Sequence, residues 1–247
     1  MNEQIIKFKA KKLILSDKSI YPEPAKMNIA DWYKNVPYKN DSSLRTIKAC
    51  KPFLDSLLAG YILKSAIDQK INFHVENPNN NNQINTWIEV HPIIREMNFT
   101  NHINVNRGDE VHPPEQVGGI SCPFVKENKG YPIYKILNPW TITLPKGYSA
   151  IYMPPINRPD DRFQIITGIV DYGHDIPTNF PVIFKKQGSW ILEKGTPIAS
   201  IFPFKIEKWK MVVEEMSDDE FRANNFSLAQ KLMKFYEKFK WIKKSWN

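Results

Sequence analysis

Residues 131–204 carry seven short apolar segments divided by turn-forming residues: YPIYKI (131–136), WTITL (140–144), SAIYM (149–153), RFQIITGIV (162–170), FPVIF (180–184), SWIL (189–192) and PIASIFPF (197–204). All are rich in β-branched and aromatic side chains. Between them lie Pro145-Lys-Gly147, Asn157-Arg-Pro-Asp160 and Lys185-Lys-Gln-Gly188, combinations that reverse a chain rather than extend it. Short strands at this spacing predict a mainly β fold of the α+β kind, a β-clip-like barrel or a β-sandwich, with helices appended at either end.

Working outward, INFHVEN (71–77) and INTWIEV (84–90) alternate apolar and polar residues on either side of Asn77-Pro-Asn-Asn-Asn-Asn82, which predicts a hairpin across an exposed loop. Arg107 to Gly130 is dominated by Gly, Pro, Asn and charge and reads as an irregular excursion. The opening KFKAKKLIL (7–15) alternates Lys with apolar residues and predicts a half-buried edge strand. Two short helices are expected early, one around Ile29, Trp32 and Tyr33, the other from about Pro52 to Ala59, with Gly60 ending it. Ser217-Asp-Asp-Glu220 has capping-box spacing. After it, Phe221, Leu228, Leu232, Phe235, Tyr236, Phe239 and Ile242 form an apolar stripe opposite a lysine-rich face. The expected organisation is one β-rich domain over 1–216 and a basic amphipathic helix over 217–247.

The chain has 247 residues, 42% hydrophobic and 13% aromatic, enough to build a core and too apolar for a disordered body. Its net charge of +8 lies at the two ends, with +3 in residues 1–14 and +5 in residues 231–247, so the stretch between them is formally neutral. An anionic partner would therefore be attracted by the ends. No apolar run reaches the roughly 20 residues of a transmembrane helix. The N-terminus has no uninterrupted signal-peptide core. The two cysteines, Cys50 and Cys122, suit a reducing compartment. The location expected is the cytoplasm, of a host cell or within a virion if the chain is phage-encoded.

Several short motifs fall in the β-rich half. Trp140, Pro145-Lys-Gly-Tyr-Ser149, Pro154-Pro-Ile-Asn-Arg158, Gly168-Ile-Val-Asp171 and Lys194-Gly-Thr-Pro197 with Pro203-Phe204 resemble the pattern of an uncharacterised family scattered through phages and bacteria. That resemblance implies membership and no chemistry. The order of Gly147-Tyr148, Gly168–Asp171 and Lys194–Ser200 is also similar to that of the deoxyuridine triphosphatase and deoxycytidine deaminase group, which implies a β-clip-type fold. Here the phosphate-binding Arg-Ser-Gly turn of that group is replaced by Pro155-Ile-Asn-Arg158, and the Arg of its last motif by Pro197. The amides and charges that hold a triphosphate leaving group are therefore missing from the text.

The candidate ligand-binding residues are Tyr148, Asn157, Arg158 and Asp171. Asp171 would either face a pocket or end a strand and bond its own turn; the second reading is preferred. Arg158 and Arg162 bracket Pro159-Asp-Asp161 and would either clamp an anion or pair with those aspartates, the latter being favoured by local charge. The histidines His74, His91, His102, His112 and His174 offer only partial ligand sets, His112-x-x-Glu115 and the adjacent His174-Asp175 among them, for a two-histidine, one-carboxylate iron site. No metal or cofactor is implied. There is no Gly-x-Ser-x-Gly elbow, P-loop or Cys-x-x-Cys. Lys238, Lys240, Trp241, Lys243, Lys244 and Trp246 form a candidate interaction helix, either docking on an anionic or protein partner or packing on its own domain, the latter preferred. The leading function expected is a non-catalytic, phage-type accessory or structural protein with a rigid β body, a protein partner or a homo-oligomer being compatible with it. The alternatives are a divergent nucleotide-binding or nucleotide-hydrolysing β-clip protein and, behind it, a cupin-like iron oxygenase.

Overall fold

The structure, a computed structural model, describes residues 4–76, 85–92, 111–112, 123–124, 133–136, 138–174, 177–229 and 236–247. The asparagine loop at 77–82 and most of the 107–130 excursion lie outside the described residues. In chain order the elements are β1 (Lys7–Lys9), α1 (Lys12–Leu15), β2 (Glu23–Pro24), α2 (Asp31–Asn35), α3 (Lys51–Leu58), β3 (Tyr61–Lys64), β4 (Gln69–Glu76), β5 (Asn85–Pro92), β6 (Val111–His112), β7 (Ile133–Ile136), β8 (Thr141–Thr143), β9 (Tyr148–Met153), β10 (Phe163–Ile165), β11 (Gly168–Asp171), β12 (Phe180–Phe184), β13 (Gly188–Leu192), β14 (Pro197–Lys205) and α4 (Asp218–Ala229). The protein is mainly β, its strands paired antiparallel in several sheets and its helices few and short.

Two compact units make up the chain. The first comprises residues 1–23 and 61–205, the second residues 24–60 and 206–247. In the first, β14 is central to a five-stranded sheet of order β11-β9-β14-β3-β2, pairing through Ile201↔Tyr152 on one side and Ile201↔Tyr61 on the other. A four-stranded sheet runs β10-β12-β7-β6, and a three-stranded one β13-β4-β5. The expected hairpin is β4–β5, in register from Gln69↔Pro92 to Glu76↔Asn85. Among the described residues no sheet closes on itself.

Aromatic residues join the sheets. Trp190 of β13 stacks on Phe163 of β10 (ring centroids 6.3 Å, 12° apart) and meets Phe184 of β12 edge-on at 5.8 Å. Phe184 in turn contacts Phe73 of β4 and Tyr134 of β7. Geometries of this kind add about 0.5–1.5 kcal/mol each beyond the apolar area buried. The same core takes in Ile14, Trp140, Phe180 and Ile201, each 2% exposed or less.

Two segments depart from the pattern in the text. The alternation of KFKAKKLIL is strand only over Lys7–Lys9, where β1 pairs with β8 and leaves both lysines exposed. From Lys12 the chain turns helical so that Ile14 enters the core. The adjacent pair Lys11-Lys12 breaks the period of two, and that break marks the change. RFQIITGIV, one run in the sequence, is two strands in two sheets: β10 pairs with β12 and β11 with β9. Ile166 is the last residue held to β12, donating its N–H to the Pro181 carbonyl at 2.8 Å.

Buried Asn138 (3% exposed) ties the start of β8 to the start of β12. Its Nδ2 donates to the carbonyls of Trp140 (2.9 Å) and Thr178 (3.2 Å), and its Oδ1 accepts from the Trp140 N–H (3.1 Å). An apolar substitute would strand two buried backbone groups of Trp140 and the part-buried Thr178 carbonyl. Asn138→Ala is therefore expected to lower unfolding stability by about 1–3 kcal/mol with an unchanged far-ultraviolet spectrum, as measured by urea titration.

Asp17 anchors the N-terminal segment. It accepts from the Ser19 N–H (2.9 Å) and hydroxyl (2.6 Å) and meets Lys194 at 2.8 Å. The Lys194 and Ser19 hydrogen bonds hold its carboxyl well below the ordinary 3.8, at about 2. A depressed carboxyl contributes stability above its unfolded value and loses it as pH falls through the folded one. The difference in melting temperature between the wild type and Asp17→Asn should accordingly be present at neutral pH and shrink to nothing as pH falls from about 4 to about 2.

Candidate functional site

The motif-bearing residues sit largely on turns. Pro145–Tyr148 closes a turn in which the Tyr148 N–H reaches the Pro145 carbonyl at 3.2 Å, with Gly147 at a φ of 84°. Glu193–Thr196 closes another at 3.1 Å, with Gly195 also at 84°. Both glycines stand where a Cβ would be strained. Between them Pro155–Arg158 makes a third turn, the Arg158 N–H donating to the Pro155 carbonyl at 3.1 Å and Asn157 at a φ of 55°. Asn is among the few side chains that tolerate this region. The buried Ser200 hydroxyl of β14 accepts from the Ile156 N–H at 3.1 Å and pins that turn to the sheet.

This layout separates the four candidate ligand residues into two pairs. Asp171 lies opposite Ser149, and Tyr148 is the first residue of β9, so both belong to one end of the β9–β11 pair. Asn157 and Arg158 follow the other end of β9, beyond Met153. About five residues at roughly 3.3 Å each, some 17 Å of strand, stand between the two ends. Asp171 accepts a 2.6 Å hydrogen bond from the Ser149 hydroxyl, a cross-strand partner and not its own turn.

Arg158 lines a cavity of about 120 Å³ with Pro155, Asp160, Phe163, Lys185 and Pro197. Small-molecule sites usually enclose roughly 300–1,000 Å³, so this cavity has room for a few waters and not for a nucleotide. Burial pulls the Arg158 guanidinium below its ordinary range, while the charge of Glu23 acts in the opposite direction. Glu23 is itself held by Lys64 at 2.9 Å. Arg162 points elsewhere. It grips Asp160 with two bonds (Nε–Oδ1 3.0 Å, Nη2–Oδ2 2.9 Å), reaches Glu193 through Nη1 at 2.8 Å and lies over the Trp190 ring at 5.4 Å. Hydrogen bonding to Asp160 raises the Arg162 pKa against the cost of burial. Burial alone would raise the Asp160 carboxyl, but Arg162 outweighs it and holds the group below the ordinary value. The pairing of Arg162 with a local aspartate is the one favoured from the sequence. Among the described residues, no three His, Cys, Asp or Glu side chains gather where they would hold a metal ion.

In the second unit the candidate interaction residues lie at 236–247. The Ser217 hydroxyl accepts from the Glu220 N–H at 3.3 Å and starts α4. Tyr236–Lys240 forms a π-helical turn closed by the Trp241 N–H on the Tyr236 carbonyl at 2.7 Å, and residues 241–247 have no regular structure. The stretch meets α3 through polar contacts. Trp241 Nε1 donates to Asp55 at 3.0 Å, Lys244 reaches the same oxygen at 2.6 Å, and Lys51 covers the Trp241 ring at 5.1 Å while pairing with Glu237 at 3.1 Å. Lys238, Lys240 and Lys243 remain exposed and Trp246 is half-buried. Asp55 is thus the main polar anchor of this segment, a role its position in a short amphipathic helix did not signal. Asp55→Ala should shift tryptophan emission to the red and accelerate amide exchange across 241–247, whereas Lys243→Ala should change neither.

No protein-family profile matches the chain, and no curated protein matches it in sequence. Among solved structures it is similar to a dUTPase variant from phage phi11 of S. aureus, at 12% identity and a TM-score of 0.25, over 35% of this chain and 72% of that one. Among the described residues no helix is long and apolar enough to cross a membrane.

Proposed function

We propose that this chain is a non-catalytic accessory or interaction protein, a β-rich body whose partners dock on surface carried by the second unit. The observation that carries this reading is the run Ile206–Met216, every residue of which is exposed; Trp209, Met211 and Val213 stand 87%, 86% and 85% open to solvent. Large apolar side chains left this open within one short run are a candidate surface for another molecule. The charged groups of the first unit support the same reading. Arg162, Asp160 and Glu193 satisfy one another, Asp171 is bonded to Ser149, and the cavity beside Arg158 is small. The exposed Lys238, Lys240 and Lys243 give the second unit a basic rim suited to an anionic partner. A place in the cytoplasm of a host cell or in a virion goes with this reading, as does the phage-type class implied by the motifs.

The competing reading is a divergent nucleotide-binding or nucleotide-hydrolysing β-clip protein. A ligand at 100 times its dissociation constant stabilises the folded state by about 2.7 kcal/mol, which a thermal-shift panel of deoxynucleoside mono-, di- and triphosphates with magnesium detects readily. No shift and no turnover are expected. Release of phosphate or pyrophosphate by the purified protein, lost in Asp171→Asn, would reverse the assignment.

A further inference from the structure

We infer that the exposed segment 206–216 is a self-complementary β-arm that pairs antiparallel with the same segment of a second copy of this chain. The inference rests on the interaction-protein reading above and names the partner. The segment IEKWKMVVEEM follows directly from β14 and itself forms neither strand nor helix. Trp209, Met211 and Val213 alternate with Lys208, Lys210, Val212 and Glu214. This is the period of two that belongs to a strand with one apolar face. Here that face is open to solvent.

Charge decides the direction. Lys208 and Lys210 occupy the first half of the arm, Glu214 and Glu215 the second. A parallel pair would set lysine against lysine and glutamate against glutamate, which destabilises a sheet. Antiparallel pairing about Met211 sets Lys208 of each copy opposite Glu214 of the other. The same register places Trp209 opposite Val213 twice and Met211 opposite itself, so the apolar centres of the two arms coincide, while Ile206 meets Met216 on the other face. Glu207 of each copy then faces Glu215 of the other, two unfavourable pairs against the two favourable ones, whereas the parallel arrangement would set like charges together at all five charged positions of the arm. Such a contact is isologous and closes as a twofold dimer. A second copy supplies from the same arm the complement of Lys208, Trp209, Val213 and Glu214. An anionic membrane would repel its acidic half.

The size of the contact sets its strength. A stable interface engages about 20–30 residues a side. Eleven residues in the arm give about half of that, so the dimer should be reversible, with a dissociation constant on the order of tens of micromolar.

Sedimentation velocity of the full chain tests this between about 1 and 200 µM, the range that brackets such a constant. The weight-average mass should rise from 28.9 kDa towards twice that value. Lys208→Glu and Glu214→Lys are both on exposed residues and should each weaken self-association at least tenfold, because each places two like-charged pairs in its own homodimer. An equimolar mixture of the two variants restores both opposite pairs and should associate as the wild type does. Circular dichroism and melting temperature of each variant should match the wild type, which separates loss of pairing from loss of folding. A wild type that stays monomeric throughout the range overturns the inference, and so does a dimer indifferent to both variants or a mixture that shows no rescue. A monomer that captures a different protein on 206–216 overturns self-pairing while leaving the interaction-protein reading in place. Nucleotide turnover would overturn that reading without touching the dimer.

Discussion

The first unit is held together by the two ladders of β14. This strand is paired on both sides and buried on both faces, with Ile198, Ala199, Ser200 and Ile201 each 1% exposed or less. Its partners come from distant parts of the sequence, β3 at 61–64 and β9 at 148–153. Joining β3 to β14 closes a loop of well over a hundred residues, an entropic cost on the order of 4 kcal/mol plus a constant. The burial of four consecutive residues and the backbone bonds to two neighbours oppose that cost. Everything that hangs from the sheet, including the Pro155–Arg158 turn pinned through Ser200, inherits its position from this strand.

The motifs that stand out in the text are best understood as the geometry of this scaffold. Pro145–Tyr148, Pro155–Arg158 and Glu193–Thr196 are reversals between strands, and their glycines and asparagine supply backbone angles that other residues adopt at a cost. Lys194 illustrates the point twice, its N–H donating to Asp68 at 2.6 Å and its ammonium meeting Asp17 at 2.8 Å. Residues of this kind specify where a chain turns. They carry no statement about the molecule that the protein meets.

The sequence made the β-rich architecture legible because its strands are short, strongly apolar and punctuated, so pattern and turn chemistry agree at 131–204. The β4–β5 hairpin was legible for the same reason. Sheet membership was not: RFQIITGIV contains nothing that assigns its halves to different sheets, since that division depends on whether β12 or β9 lies alongside. Lys12–Leu15 turned helical because burying Ile14 outweighed a local preference. At the candidate site, the pairing of Arg162 with Asp160 was visible two residues away, whereas the distance between Arg158 and Asp171 follows from the length of β9. The tail contacts on Asp55 join residues almost two hundred positions apart, beyond the reach of any periodicity.

The second unit is drawn from two stretches, 24–60 and 206–247, with nearly all of the first unit encoded between them. During vectorial synthesis α2 and α3 leave the ribosome long before Trp241 and Lys244 exist to cover Asp55, so this unit cannot complete its polar contacts until translation has passed the last strand of the first. A chain ending just after Lys205 would retain every strand of the β14 sheet yet leave Asp55 without Trp241 and Lys244.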